Sequence, residues 1–422
     1  MTLLSEPKDT RTSRPRRALL GSRGTFWSAA SVLALCLWSS GAPSVLYPLY
    51  SDAWQLTPAV TTAVFGTYPL TLIVSLVLFG GLSDVIGRRR AMMLGVTLIA
   101  LSAIVFAAAT GVGFLFAGRV LQGFGTGLAL GAASAALVEH NVSKNPRFAS
   151  SLATVATSTG LTLALVVSGV LAQLVPLPLV WSYIVLLVLG FGTVFALWAT
   201  PDDRSVPAAR WRPQPLRVPS GIRRVFVLAT LSVSIAYCIG AIFLSLGAQM
   251  VRQFAHTHDM AVIGGLLGIS SIAIGTTALL LARVPATASV WVGGILSFAS
   301  LGLMAPVAAT GSMPLFIAWC VVGGVAYSFA FTGGLGLVNR AAPAHHRGAT
   351  LSLLYLFAYL LQALTAVAAG ALATTLGLGP SVDIMAAVLA ALCVALLVLA
   401  VVDVAIARRA ARTASPEPVS PG

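Results

Sequence analysis

One arginine lies inside a long apolar stretch, in the segment GRVLQGFGTG that covers residues 118–127. On a helix, Arg119 and Gln122 share one face because they are three positions apart. A guanidinium at membrane depth costs free energy unless it faces a cavity or has polar partners. The alternative is that Arg119 extends its side chain to the nearer membrane interface. We expect Arg119 and Gln122 to form a polar patch inside the protein.

A second concentration of charge occurs in the segment GGLSDVIGRRR, residues 80–90, between two long apolar runs. Asp84 can accept hydrogen bonds at the positively polarised N-terminus of a neighbouring helix. Gly80 and Gly87 allow two backbones to approach each other closely. A plain basic loop with an incidental acid is the alternative interpretation. The spacing favours an interaction site made by Asp84 together with the arginines that follow it.

Aromatic and amide side chains recur in the apolar stretches, where they could contact a small molecule. Tyr355, Tyr359 and Gln362 are spaced by four and three positions, which places them on one helix face. Aromatic residues in membrane helices more often pack internally or face lipid, so each residue alone is weak evidence. The candidates for a binding wall are Trp38, Tyr47, Arg119, Gln122, Tyr237, Tyr327, Tyr355, Tyr359 and Gln362.

Acidic residues within the apolar region lie only near the ends of its stretches. Proton coupling normally needs a buried carboxylate that titrates while it is exposed alternately to the two sides. Asp52 is the best candidate for a proton carrier because it closely follows Tyr47 and Pro48 in the first stretch. If Arg119 faces a cavity without a carboxylate partner, a weakly acidic compound could supply the counter-charge.

The sequence offers little for enzymatic chemistry. It contains no HExxH segment, nucleophile elbow or phosphate-binding Walker loop. The cysteines fall inside apolar stretches without the spacing of metal ligands, and we interpret them as small buried side chains. They are Cys36, Cys238, Cys320 and Cys393. We therefore predict that the protein is not an enzyme and needs no cofactor and no metal.

The composition explains why charge is concentrated at so few places. The chain has 422 residues, of which 58% are hydrophobic and 9% are charged, and its mean hydropathy is +0.95. Soluble proteins carry about 25% charged residues, so this is an integral membrane protein. The net charge of +14 could indicate a nucleic-acid-binding protein. The arginines lie between apolar runs rather than on a surface stripe, which excludes a nucleic-acid partner.

The apolar runs predict twelve spanning helices, because each span needs about 20 mostly apolar residues. Breaks within the longer runs are expected at residues 110–113, 173–178 and 309–314. Basic residues in short loops mark the cytoplasmic side of a membrane. Placing the N-terminus in the cytoplasm leaves Arg252 as the only basic residue in an external loop. We therefore expect a multi-pass protein of the cell membrane with both termini in the cytoplasm.

A Pro- and Arg-rich segment at residues 200–224 divides the predicted helices into six and six. The predicted fold class is an all-α membrane protein with two six-helix bundles. The expected units are a cytoplasmic tail (1–24), a first bundle (25–199), a cytoplasmic linker (200–224), a second bundle (225–406) and a second cytoplasmic tail (407–422).

These features resemble the major facilitator superfamily. The signature between its second and third helices is matched by Gly80, Leu82, Ser83, Asp84, Gly87, Arg88, Arg89 and Arg90, whereas Val85 stands where many members carry Arg. The family's Arg-x-x-Gln-Gly-x-Gly pattern in the fourth helix is matched by Arg119, Gln122, Gly123 and Gly125.

The resemblance implies a latch between the two bundles that favours the outward-facing state. Asp84 would contact the start of the eleventh helix near Gly348, and Arg88 would pair with Glu139 at the cytoplasmic end of the fourth helix. The residues expected to form this latch are Gly80, Asp84, Gly87, Arg88, Arg89 and Glu139.

The resemblance also implies a function. It indicates a secondary active transporter that works by alternating access and exports drug-like molecules or small metabolites, with a proton as the coupling ion. In the segment GLTLALVVSG, residues 160–169, this chain lacks the internal Gly and Pro that drug/proton antiporters often show. A facilitator or importer of a sugar or organic acid therefore stays open as the alternative. The expected partners are a small-molecule substrate, a proton and the lipid bilayer, and the expected state is a monomer.

Overall fold

The computed structural model describes residues 19–145, 147–201, 218–281, 284–343 and 347–413, and over these residues it contains helices and no strands. Twelve of the helices are long and apolar enough to span a membrane, as the sequence predicts. They are α1 (Ser22–Trp54), α2 (Pro58–Phe79), α3 (Arg88–Ala107), α4 (Val112–Glu139), α5 (Arg147–Leu174), α6 (Trp181–Trp198), α7 (Arg223–Phe254), α8 (Met260–Leu280), α9 (Ala286–Thr310), α10 (Met313–Ala341), α11 (Arg347–Leu376) and α12 (Leu378–Thr413).

Two short helices complete the described chain. A five-residue helix, Leu82–Ile86, links α2 to α3 and ends at Gly87. The backbone of Gly87 has φ of +92°, which glycine adopts without steric cost. A single 3₁₀ turn at Ser220–Ile222 precedes α7. Most of the predicted linker and most of both predicted tails lie outside the described residues.

Helices α1 to α6 pack around one apolar core, and α7 to α12 pack mainly around another. A lipid environment cannot hydrogen-bond to peptide groups, so helices satisfy the backbone within each segment. Small residues then let neighbouring helices approach closely. Gly95 of α3 and Gly125 of α4 illustrate this, because a Cβ on either residue would lie 2.5–2.6 Å from the other's carbonyl oxygen. The described helices therefore form the two six-helix bundles that the sequence predicts.

The bundles meet along two main contacts, α2 with α11 and α5 with α8. Near the middle of α5, the hydroxyl of Ser158 donates to the carbonyl oxygen of Ser271 in α8, and the hydroxyl of Ser271 donates back to the carbonyl oxygen of Ser158. Both distances are 3.2 Å. These reciprocal bonds join the two bundles at one point near mid-membrane.

Further cross-bundle bonds lie at the end of the molecule opposite the first residue of α1. The backbone N–H of Ala59 donates to the hydroxyl of Thr374 at 2.9 Å. The backbone N–H of Met260 donates to the side-chain oxygen of Gln173, also at 2.9 Å. With the predicted topology, the external end is closed. The cavity between the bundles extends towards the other end, which corresponds to an inward-facing arrangement if the predicted topology holds.

Candidate functional site

A cavity of about 380 Å³ lies between the two bundles. Its wall is built from α1, α2, α4 and α5 of the first bundle and from α7, α8, α10 and α11 of the second. It extends from the middle of the helices, at Gly323 and Gln362, towards the end at which α1 begins, at Ser134 and Leu335. No Asp, Glu, Lys or Arg belongs to its described lining.

The second bundle supplies an aromatic wall to this cavity. The ring centroid of Tyr237 in α7 lies 6.1 Å from that of Tyr327, 5.8 Å from that of Phe331 and 4.8 Å from that of Tyr359. The ring of Tyr355 lies 6.2 Å from that of Tyr359, one turn along α11. We call these five residues the aromatic cluster. They present flat apolar faces on which a planar molecule can stack.

The first bundle supplies a different wall, in which small hydroxyl side chains alternate with aliphatic ones. Ser40 of α1 and Thr154, Thr157 and Ser158 of α5 line the cavity opposite the aromatic cluster. Tyr68 of α2 is the first bundle's one aromatic residue among the described lining. The second bundle adds the hydroxyl residues Ser270, Ser271, Ser328 and Thr332. A bound molecule would therefore contact rings mainly of the second bundle and hydroxyl groups of both bundles.

Arg119 is fully buried one layer behind this hydroxyl wall. Its guanidinium donates to the carbonyl oxygen of Ser40 at 3.2 Å, to the side-chain oxygen of Gln122 at 3.0 Å and to the hydroxyl of Tyr47 at 2.5 Å. Its central carbon also lies 5.6–5.9 Å from the ring centroids of Tyr47, Phe65 and Tyr68. Hydrogen bonds and ring faces therefore stabilise this cation, and no described carboxylate pairs with it.

The predicted binding wall thus separates into two groups. Tyr237, Tyr327, Tyr355, Tyr359 and Gln362 line the cavity together. The second group lies outside the described lining and comprises Trp38, Tyr47, Arg119 and Gln122. All four of these are at most 7% exposed. Ser40 and Tyr68 connect the two groups, because each touches both the cavity and the Arg119 network.

The charged turn forms its described contacts within the first bundle. Arg88 donates to Asp84 at 2.5 Å, to the hydroxyl of Ser83 at 2.6 Å and to Glu139 at 3.3 Å. A Cβ on Gly348, at the start of α11, would have open space around it. The cross-bundle contact of Asp84 with α11 therefore stays a prediction.

Arg89 serves the first bundle itself. It donates to the carbonyl oxygens of Leu197 at 2.8 Å and Trp198 at 2.6 Å, at the C-terminus of α6. The carbonyl of Leu197 also accepts from the N–H and the hydroxyl of Thr200. A cation at the C-terminus of a helix interacts favourably with the helix dipole. The contact fixes the end of α6 against the start of α3.

Asp52 lies at the end of α1 furthest from the cytoplasmic turn, with its side chain 58% exposed. It accepts a hydrogen bond from Arg252 of α7 at 2.9 Å, so this ion pair joins the two bundles. Arg252 is also 3.1 Å from Nδ1 of His258. The structure therefore places the proton-carrier candidate at the closed end, outside the cavity.

Sequence reasoning missed several residues that line the cavity. Trp319 and Phe331 of α10 belong to it, as do Phe243 of α7 and Tyr68 of α2. A signal for two of them was present, because Trp319, Gly323, Tyr327 and Phe331 are spaced by four. Extending the face of Tyr327 along its helix in both directions would have found them.

Comparison with known proteins was made at the level of sequence and of fold. A family model described as Major Facilitator Superfamily matches residues 27–303. Multidrug resistance protein D of Escherichia coli (strain K12) is 32% identical over 160 residues, which cover 36% of this chain and 38% of that protein. The MFS efflux transporter aclA of Aspergillus oryzae (strain ATCC 42149 / RIB 40) is 32% identical over 128 residues, covering 27% and 22%. Each match spans well under half of the curated relative.

Solved structures resemble the fold over nearly the whole chain. A bacterial homologue of the human lysosomal transporter Spinster, in an inward-facing and unoccupied conformation, superposes with a TM-score of 0.66 and 14% identity, covering 94% of this chain and 99% of that one. The nucleoside transporter NupG superposes with a TM-score of 0.70 and 15% identity, covering 90% and 99%. At these identities the likeness concerns the fold alone.

Proposed function

Because the chain belongs to the major facilitator superfamily, we propose that it is a secondary active transporter that exports drug-like molecules or small metabolites. It works by alternating access of the central cavity to the two sides of the cell membrane. It has both termini in the cytoplasm, acts as a monomer and exchanges its substrate for protons. Transport rather than an enzymatic reaction is its activity.

The observation that carries this proposal is the lining of the cavity. The lining combines rings, most of them from the second bundle, with hydroxyl groups from both bundles, and no charged side chain belongs to the described lining. Such a surface suits amphipathic molecules with an apolar ring system and few polar groups. A site for an organic acid would need basic lining residues, and a site for a sugar would need more polar groups than this wall offers. The lining therefore disfavours the importer alternative.

Export is supported by the names of the two curated relatives, which are a multidrug resistance protein and an efflux transporter. The cavity extends to the end predicted to be cytoplasmic. An exporter would load substrate in this conformation, and an importer would release it.

Opening to the outside requires the ion pair of Asp52 and Arg252 to separate, because it joins α1 to α7 at the closed end. Protonation of Asp52 would remove one charge of the pair and favour that opening. We propose that Asp52 is the proton-coupling group on this ground. The latch around Asp84 and Glu139 would then close the cytoplasmic end as the external end opens.

The experiment uses inverted membrane vesicles that contain the full-length protein. Export in the cell corresponds to uptake into such vesicles, and we expect a proton gradient to drive accumulation of substrate from a compound panel. A protonophore should abolish the accumulation. Uptake that ignores the gradient would contradict proton-coupled export.

A matched pair of variants tests the coupling residue. Asp52→Asn should retain downhill transport but lose acceleration by the gradient, because the amide cannot take up a proton at this position. Asp383→Asn is the control, since Asp383 is an exposed carboxylate between α9 and α12, away from the bundle interface. If transport by Asp52→Asn still depends fully on the proton gradient, another group couples proton movement to transport.

A further inference from the structure

Two hydrogen bonds between the bundles, at the end opposite the first residue of α1, share one arrangement. The side-chain oxygen of Gln173, in the last turn of α5, accepts from the backbone N–H of Met260, the first residue of α8. The hydroxyl of Thr374, in the last turn of α11, accepts from the backbone N–H of Ala59, the second residue of α2. In both bonds, the end of one helix therefore caps the beginning of a helix in the other bundle.

These bonds satisfy groups that a helix cannot satisfy itself. The N–H groups of the first turn have no acceptor within their own helix. Thr57, which precedes α2, makes no capping bond with its side chain. Asp259, which precedes α8, accepts from two later N–H groups and leaves that of Met260 to Gln173. The start of each helix thus depends on the opposite bundle for one of its acceptors.

The two bonds occupy equivalent positions of an internal repeat. Ala59 and Met260 are 201 positions apart (59 to 260), and Gln173 and Thr374 are also 201 positions apart (173 to 374). Parallel repeats relate the two halves of a transporter by an axis along the membrane normal. Such an axis would exchange the contact of α5 with α8 and the contact of α11 with α2. Each of the two main contacts between the bundles therefore contains one of the bonds.

The segments that supply the capping side chains are also alike. They are GVLAQ at the end of α5 and GALAT at the end of α11, which share Gly, Leu and Ala at the same places. A Cβ on Gly169 or on Gly370, four positions before the capping residue, would crowd a carbonyl oxygen in the first turn of the partner helix. The glycine lets the two helices approach closely, and the residue one turn later makes the bond.

Both bonds must break when the bundles move apart at this end, because each joins helices of different bundles. We propose that Gln173 and Thr374 are paired gating residues that hold the external end closed as one unit. Loss of either bond then favours opening at both contacts. This inference rests on the proposed function, and it names residues that control the step in which an exporter opens to release its substrate.

Two pairs of spin labels follow the two contacts separately by double electron–electron resonance. Leu174→Cys with Val262→Cys spans α5 and α8, and Thr57→Cys with Leu376→Cys spans α2 and α11. All four side chains are exposed, and the described native cysteines are buried. The full-length protein is measured in lipid nanodiscs without substrate and without a proton gradient.

Thr374→Val and Gln173→Met each remove one acceptor and nearly keep the size of the side chain. We expect each to raise the ratio of open to closed external ends about threefold, because water competes for such exposed bonds. The increase should be the same at both label pairs. The two bonds share no residue and act on one equilibrium, so the double variant should raise the ratio about ninefold.

Two further variants of α11 serve as controls. Thr374→Ser keeps the accepting hydroxyl and should restore the parental ratio. Thr375→Val removes the neighbouring hydroxyl, which donates only to the carbonyl oxygens of Ala371 and Leu372 in its own helix. It should leave both distances unchanged.

Three results would overturn the proposal. Either variant could change only the distance at its own contact, which would show that the external end does not open as one unit. The two variants could leave both distances unchanged, or Thr375→Val could act as strongly as Thr374→Val. None of these measurements requires transport. If the variants behave as expected but the protein accumulates no compound in energised vesicles, the proposed function is wrong while the paired gate stands.

Discussion

The two bundles contribute different side chains around the cavity. The first contains a fully buried arginine that donates to three polar groups behind the cavity wall, and it also contains the charged turn. The second contributes the aromatic cluster to the lining itself. Bonds to a buried cation hold the helices in one arrangement, whereas ring faces that line a cavity can stack on a ligand. We infer that the first bundle mainly controls conformation and the second mainly binds substrate.

The largest effect is expected from Arg119→Gln. The substitution removes a buried charge and its bonds to Ser40, Gln122 and Tyr47. Hydrogen bonds to charged groups contribute about 1.5–3 kcal/mol each, so we expect export to fall at least tenfold. Initial rates in inverted vesicles, normalised to protein content, measure this.

Arg119→Lys distinguishes charge from geometry, because lysine keeps the charge but cannot reproduce the forked donors of arginine. We expect it to restore only part of the activity. If Arg119→Gln exports both anionic and neutral compounds at the parental rate, Arg119 is not needed for transport. The first bundle would then not control conformation through this residue.

The next effect is expected at the aromatic cluster. Tyr237→Leu removes the ring that contacts Tyr327, Phe331 and Tyr359, and we expect substrate affinity to fall about tenfold. Alternation between conformations should stay within about twofold of the parental rate. Tyr183→Phe is the control, because Tyr183 bonds to Tyr50 inside the first bundle, outside the cavity lining. If Tyr237→Leu alternates more slowly but keeps its substrate affinity, the aromatic cluster controls conformation instead of binding substrate.

A smaller effect is expected at the charged turn, on the rate of alternation rather than on substrate affinity. Asp84→Asn weakens the contact with Arg88 and, by our proposal, the latch with α11. We expect alternation to slow about threefold, since exposed ion pairs contribute up to about 1 kcal/mol, with substrate affinity unchanged.

Stopped-flow fluorescence of a label at the cytoplasmic end measures this rate. Asp403→Asn serves as the control, because it disrupts the pair with Arg224 in the second bundle. Parental rates in Asp84→Asn would refute the latch.

The smallest effect is expected at the external pair. Arg252→Gln removes the partner of Asp52, whose side chain is 58% exposed. The population of the state in which this end is closed should therefore fall by less than about fivefold. Spin labels at Ala53→Cys and Gln253→Cys report the distance between α1 and α7 by double electron–electron resonance. The described native cysteines are buried, so labelling would be selective. A population shift beyond tenfold would show that this end controls the conformation more than the turn does.

The number of spanning helices was predictable because each helix depends on its own stretch of sequence. Each span is fixed by its own length, polarity and flanking charge, so counting apolar runs and placing Arg252 outside sufficed to predict twelve helices. The face shared by Tyr355, Tyr359 and Gln362 was equally local, since helix periodicity alone brings them together.

Which predicted site residues line the cavity and which lie behind its wall was not predictable in this way. Whether Arg119 touches the cavity depends on Phe65 and Tyr68, which belong to another helix and cover it. The role of Arg89 likewise depends on where α6 ends. Helix-to-helix packing decides both, and the spacing of residues within one segment contains no information about it.

The reciprocal bonds between Ser158 and Ser271 have a mechanical consequence. If the bundles rock about this point, α5 behaves as a lever with unequal arms. At 1.5 Å per residue, the arm towards Arg147 is about 17 Å long and the arm towards Leu174 about 24 Å. A given rotation therefore displaces the Leu174 end of α5, external in the predicted topology, by about 1.5 times as much as the Arg147 end. A small closure on the inner side would produce a wider mouth on the outer side.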